Sequence, residues 1–169
     1  ELPDAFERCT EGLDRIASIV GAMKEFAHPG SEGMALADID RALAATVTLS
    51  NNEHKLVADV VLDLGGLPHV RCRIGDLHHV FLNLIVNACH AIEDQLGDSG
   101  GRGTITIRSR VEGDDAVISV QDTGCGIPDE VRDRVYDPFF TTKEIGRGSG
   151  QGLAIAHAIV VDRHGGTMT

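Results

Sequence analysis

Apolar residues recur at alternating three- and four-residue steps near the start of the chain: Phe6, Cys9, Leu13, Ile16, Val20 and Met23, with Ala27 continuing the series. This spacing predicts a helix over residues 4–27 with a narrow a/d seam. His28-Pro29-Gly30 ends it, because proline disfavours helical geometry in the residue before it. A stripe this narrow fits a bundle or coiled-coil seam better than a helix lying on the domain's own core. Three heptads are marginal alone in water, so the helix calls for a partner helix or a second copy of the chain. A second helical pattern covers residues 36–53, with Asp38 as its N-cap. The β-branched run Val57–Leu64 predicts a strand ended by Gly65 and Gly66, and His69–Ile74 reads as a short extended lead into the next element.

Asp76 is the expected N-cap of a long helix reaching about Gln95. Leu77, Val80, Phe81, Leu84, Ile85, Ala88 and Ile92 form its apolar face, and Asn83, Asn87, His90 and Asp94 line a second stripe at steps of four, three and four. After a glycine-rich break come two alternating strands, Thr104–Val111 and Ala116–Gln121, joined across residues 112–115 as a hairpin. A short helix is expected over 129–135, a flexible loop over 139–150 and a helix over 152–163, with Gly165 and Gly166 opening a further strand. The elements predict an α+β layer with helices on one face of a mainly antiparallel sheet. The hairpin excludes a wholly parallel, doubly wound sheet, and no internal repeat is visible.

Composition narrows the function classes. The 169 residues carry a formal charge of −11 and are 42% apolar, enough for a packed core. Nucleic acid and anionic membranes both demand a basic surface, so neither is an expected partner. A polyanionic ligand would need locally arranged cations and backbone N–H groups. The four cysteines are far apart and lack zinc-ligand or disulfide-framework spacing, which points to reduced thiols in a cytoplasmic compartment. No apolar run reaches membrane-spanning length and no signal peptide is visible. The chain begins with Glu1 rather than Met and reads as a fragment whose parent is soluble or anchored elsewhere.

Three segments carry candidate chemistry. Asn83 and Asn87, one turn apart, present amide carbonyls to one place, where Mg²⁺ could use an Asn oxygen together with phosphate oxygens; alternatively both amides only face solvent. In Asp122-Thr-Gly-Cys-Gly-Ile-Pro128 an acidic residue ends a strand, able to accept a hydrogen bond from an adenine amino group. Gly124 and Gly126 then allow tight turns or leave room for a flat base. The bland alternative is a strand-to-helix connection with Pro128 at the first helical turn. Gly146-Arg-Gly-Ser-Gly-Gln-Gly152 precedes a helix, and glycines there expose backbone N–H groups that bind phosphate. It is neither a Walker A loop nor a dinucleotide fingerprint. Lys143 and Arg147 place positive charge beside it; taken singly, each could equally be a solvated surface cation.

The order of these segments, with Pro138-Phe-Phe140 between the second and third, resembles the catalytic ATP-binding domain of sensor histidine kinases, within the gyrase, Hsp90, histidine kinase and MutL group. Phe81–Ala88 looks like the family's N box, Asp122–Ile127 its first glycine box, Pro138–Thr142 its F box and Gly148–Leu153 its second glycine box. Asp137-Pro-Phe-Phe-Thr-Thr-Lys143 and a short lid are most similar to the nitrogen-regulation type. The resemblance implies a two-layer α/β sandwich with a mixed, mainly antiparallel sheet, the Bergerat ATP-binding fold, preceded by one long helix. It implies ATP and Mg²⁺ as ligands, with the metal on Asn87 and the adenine amino group on Asp122. Asn83, His90, Gly124, Gly126, Ile127, Lys143, Arg147, Gly148, Ser149, Gly150, Gln151, Gly152 and Leu153 complete the nucleotide site, with Asn83, Asn87 and Lys143 closest to the chemistry. Residues 139–150 would form the mobile lid, packed down by Phe139 or Phe140.

Residues 1–30 then resemble the second helix of a dimerisation and histidine-phosphotransfer hairpin, and residues 31–169 the catalytic domain lacking its last strand. None of the eight histidines sits in a phosphoacceptor box, so the implied activity is transfer of the ATP γ-phosphoryl group to a histidine outside this chain. A response regulator receiver domain and a homodimeric parent are the implied partners. An ATPase of the gyrase or MutL kind is the alternative; those relatives place a water-activating Glu where this chain has Asn83. A nucleotide-binding scaffold module without activity of its own is the third reading.

Overall fold

The computed structural model describes residues 33–143 and 150–169, and the helix expected over residues 4–27 lies outside them. Strand β1 (Ala35–Ala37) pairs antiparallel with β3 (Val70–Cys72), forming a two-stranded ribbon. Helix α1 (Ile39–Leu49) therefore begins later than residue 36, because Ala35–Ala37 are committed to that ribbon. Its N-cap is Asp38, as expected, whose carboxylate accepts the Arg41 N–H at 2.9 Å. A short helix α2 (Asn51–His54) follows.

Strand β2 (Ala58–Leu64) runs parallel to β4 (Gly103–Glu112), which pairs antiparallel with β5 (Asp115–Asp122), giving the order β2-β4-β5. The parallel pair needs a crossover, and helix α3 (Ile74–Leu96) lies within it. Two of the three strand pairings are antiparallel, and helices cover one face. Ile105 and Ile107 of β4 point into the layer and meet Ile85 and Ile92 of α3 and Ile39 and Leu43 of α1, all at 0–1% exposure. Each such side chain contributes about 1.5–3 kcal/mol of burial.

Helix α3 starts at Ile74, with Arg73 rather than Asp76 in the N-cap position. Asp76 sits in the first turn, where a carboxylate complements the helix dipole, and Arg163 reaches both its oxygens at 3.1 and 3.2 Å. The Arg73 N–H donates to His164 Nε2 at 3.0 Å. That bond fixes the imidazole hydrogen on Nδ1, which donates to the Ile159 carbonyl at 2.8 Å. The expected buried face of α3 is observed, with Leu77 and Leu84 only partly covered, and His78 and Cys89 join it.

The segment after β5 forms a tight 3₁₀ turn over Asp129–Arg134 instead of an α-helix. Helix α4 (Gly152–His157) then widens into a π-type stretch, Ala158–Arg163. Gly165, at φ 66°, closes it in the left-handed region, and the N–H groups of Gly165 and Gly166 return to Val161 and Val160 at 3.0 and 2.9 Å. These glycines cap a helix, and no strand opens among the described residues that follow them.

His78 is 1% exposed, with Nδ1 2.9 Å from Thr46 Oγ1. The Thr46 hydroxyl donates to the Ala42 carbonyl at 2.8 Å, so the imidazole Nδ1–H donates to the hydroxyl. Burial, helped by the neighbouring His79, pushes its pKa below the ordinary 6.5. The unfolded chain takes up this proton below pH 6.5 and the folded chain resists it, so stability should fall as pH drops from 7.5 to 5. Urea denaturation across that range should show a shallower pH dependence for His78→Gln than for wild type.

Candidate nucleotide site

The polar stripe of α3 forms one wall of a cleft of about 470 Å³, within the roughly 300–1,000 Å³ of small-molecule sites. Asn83, Asn87, His90 and Asp94 lie along that wall, with Asp122 at the end of β5 and Cys125, Gly126 and Ile127 just after it. Thr141, Thr142, Lys143, Gly150, Gly152 and Leu153 line the other side. Segments more than 60 residues apart in sequence thus converge on one opening.

The turn after β5 is seated directly on α3. The Cys125 N–H donates to the Ala91 carbonyl at 3.1 Å. A Cβ on Gly124 would lie 2.4–2.6 Å from the Ala91 backbone and Cβ, so glycine is required for the approach. Gly124 therefore abuts the helix and does not line the cleft, while Gly126, at φ 71°, turns the chain back toward it. Asp122 is oriented by the Gly124 N–H, which donates to Oδ1 at 2.8 Å. A carboxylate has further acceptor sites for a ligand donor.

At the other end Asn83 Nδ2 donates to the Gly152 carbonyl at 3.2 Å, tying the wall to the start of α4. Gly152 also sits 3.6 Å, measured from an added Cβ, from Asn87 Nδ2. The Phe139 N–H donates to the Gly150 carbonyl at 2.9 Å, and both residues have positive φ, 67° and 64°. Gly150 has no room for a side chain, since a Cβ would lie 2.5–2.7 Å from the Phe139 and Phe140 backbones. Phe139 is 72% exposed, whereas Phe140 lines the cleft. Lys143 Nζ donates to His90 Nδ1 at 2.9 Å, bringing an ammonium across to the α3 wall in an otherwise acidic chain.

Of the residues expected at the site, Asn83, Asn87, His90, Asp122, Gly126, Ile127, Lys143, Gly150, Gly152 and Leu153 share this cleft. Gln151 precedes α4 without lining it, and Arg147, Gly148 and Ser149 lie outside the described residues. Tyr136, Phe140, Met168 and Thr169 also line the opening. For Met168 and Thr169 the only signal in the sequence was their position just beyond the Gly-Gly pair.

An amide-lined helix wall, an oriented carboxylate, glycines at a helix start and an ammonium within one α/β sandwich define a nucleotide-binding ATPase-type domain. Residues 73–169 match the family of histidine kinase-, DNA gyrase B-, and HSP90-like ATPases, and the chain belongs to it. Its similarities within that family are to sensor kinases. It is 31% identical over 169 residues to the nitrogen regulation protein NtrY of Azorhizobium caulinodans, covering 96% of this chain and 21% of that protein. It is 31% identical over 159 residues to the sensor histidine kinase ZraS of Escherichia coli K12, covering 92% and 32%. The solved catalytic domain of histidine kinase ThkA superposes with a TM-score of 0.67 at 27% identity, covering 79% of this chain and 85% of that one. The chain is thus an ATP-binding catalytic domain of the two-component sensor histidine kinase type. It spans about a fifth to a third of the two curated relatives. No helix among the described residues is long and apolar enough to cross a membrane.

Two glycines around the cleft should respond unequally to the same substitution. Gly124→Ala should cost about 3 kcal/mol in urea denaturation because backbone must shift. Gly152→Ala meets only ordinary contacts and should fold with stability within about 0.5 kcal/mol of wild type.

Proposed function

We propose that this domain is the nucleotide half of a protein histidine kinase, passing the ATP γ-phosphoryl group to a histidine on a helical hairpin of its parent. The observation that carries the proposal is Asn83. Its amide is engaged with the Gly152 carbonyl at 3.2 Å, and an amide has no basicity to activate water. The wall position where hydrolytic relatives place a Glu is thus a clasp, which favours transfer over hydrolysis.

In this reading the Asp122 carboxylate accepts the adenine amino group. Backbone N–H groups at the start of α4, with Lys143 and His90, hold the phosphates, and Arg147, Gly148 and Ser149 extend that cradle in sequence. Among the described residues no three His, Cys, Asp or Glu side chains form a metal cluster. Mg²⁺, however, takes few protein oxygens when phosphates supply the rest, so the Asn87 amide oxygen suits it. Bound there, it would neutralise phosphate charge. The incoming imidazole nitrogen uses its lone pair to form the P–N bond while the bond from the γ-phosphorus to the bridging oxygen breaks, leaving ADP. This domain's part is to position ATP and stabilise charge.

Residues 1–30 would be the second helix of the hairpin, residues 31–169 the catalytic domain, and the parent a cytoplasm-facing homodimer serving a receiver domain. The likeness to NtrY supports a nitrogen-regulation-like subtype.

Mixing the chain with Mg²⁺-ATP and a separate hairpin carrying the phosphoacceptor histidine should yield acid-labile, base-stable phosphate on the hairpin. Asn87→Ala should weaken ATP binding at least tenfold by calorimetry. Rapid phosphate release without any hairpin would instead favour an ATPase, and absence of ATP binding would sink the reading.

A further inference from the structure

The connection that delivers Lys143 to the cleft is held by contacts outside it. Arg134 ends the 3₁₀ turn, and its guanidinium carbon lies 4.4 Å from the centroid of the Phe140 ring. Its Nε is 3.7 Å from the Asp137 carboxylate. The Phe140 N–H donates to the Asp137 carbonyl at 3.1 Å, so Arg134 and Asp137 hold Phe140 through both ring and backbone. Next to it the Tyr136 ring lies tilted against His157 of α4, with centroids 4.7 Å apart, holding the same stretch against the helix. From Phe140 the chain runs Thr141-Thr142-Lys143, all facing the cleft, and the Lys143 N–H donates to the Thr141 hydroxyl at 3.2 Å. Lys143 Nζ ends 2.9 Å from His90. Arg134 itself does not line the cleft.

We infer that Arg134 is a positioning residue for the phosphate end of the site: by clamping the Phe140 ring it sets where Lys143 places its ammonium. This rests on the phosphate role proposed for Lys143. A guanidinium over an aromatic face is a directional contact that a neutral side chain of similar size does not reproduce. The ion pair with Asp137 is exposed and contributes little. Arg134 should therefore act on the triphosphate and leave the base end, around Asp122 and Ile127, unchanged.

Calorimetric titration of the whole chain with Mg²⁺-ATP and with adenosine tests this. Arg134→Gln should weaken ATP binding about three- to fivefold, as expected for losing one exposed cation–π contact. Adenosine affinity should stay the same, and Arg134→Lys, which keeps the charge without the planar face, should restore part of the loss. In a Phe140→Leu background, Arg134→Gln should add nothing further. Equal losses for ATP and adenosine, additive losses with Phe140→Leu, or no loss of ATP affinity would each overturn the inference. The ¹⁵N shift of His90 Nδ1 in the free protein reads Lys143 without any nucleotide and should move in Arg134→Gln. If wild type bound no ATP, the proposed function would fall, while an unmoved His90 shift would separately overturn the role of Arg134.

Discussion

A helix one turn from a sheet can serve a ligand only if the connection beyond the sheet comes close to it, and here the approach is backbone to backbone. The Ala91 carbonyl, already part of the α3 ladder, also accepts the Cys125 N–H at 3.1 Å, and Gly124 presents no atom beyond Cα at that contact. The contact sets the distance between Asp122 and the stripe from Asn83 to Asp94, and so the width of the cleft. Gly103, at the start of β4, instead makes room for a side chain of α3, since an added Cβ would lie 2.6 Å from Ile92 Cγ2. With α3 packed this tightly on the sheet, its amides and its apolar face cannot exchange roles.

The remaining contacts hold α3 along its length. At its start, His164 and Arg163 join it to the end of the last helix through an exposed hydrogen bond and an ion pair. Each is worth on the order of 1 kcal/mol, so the two share the orientation. On the far side Asp40 gathers the Ser109 hydroxyl at 2.6 Å and the Leu67 N–H at 2.9 Å, and Ser109 accepts the Gly65 N–H at 3.0 Å. One carboxylate thereby links α1, β4 and the turn after β2. The cleft is a gap between elements whose other faces are committed.

Where periodicity and chemistry agreed, the sequence was readable. The α3 stripe, the hairpin from β4 to β5 and the Asp38 cap all follow from local rules that tertiary contacts did not override. Helix ends were misread where a distant group supplied the partner: Asp76 looked like a cap, yet Arg73 takes that position because His164, 91 residues away, receives its N–H. Gly124 was read as allowing a tight turn or room for a base, and its missing side chain also makes room for Ala91. Both sites call for glycine, and sequence does not distinguish a ligand from a neighbouring helix. Nor did pattern distinguish the exposed Phe139, at positive φ, from Phe140, whose ring Arg134 covers.

The bond between Phe139 and Gly150 has a different kind of consequence. Two left-handed residues joined at 2.9 Å bring the two ends of a ten-residue stretch of chain together, independently of what lies between them. The entropy of closing such a stretch grows only with the logarithm of its length, about 0.6 kcal/mol per doubling. Added length within that stretch would therefore cost little closure entropy, while Phe140 and Lys143 inside it stay bound to the contacts that place them. The Phe139–Gly150 bond so separates the cost of lengthening this connection from the contacts that fix Asn83 and Gly152.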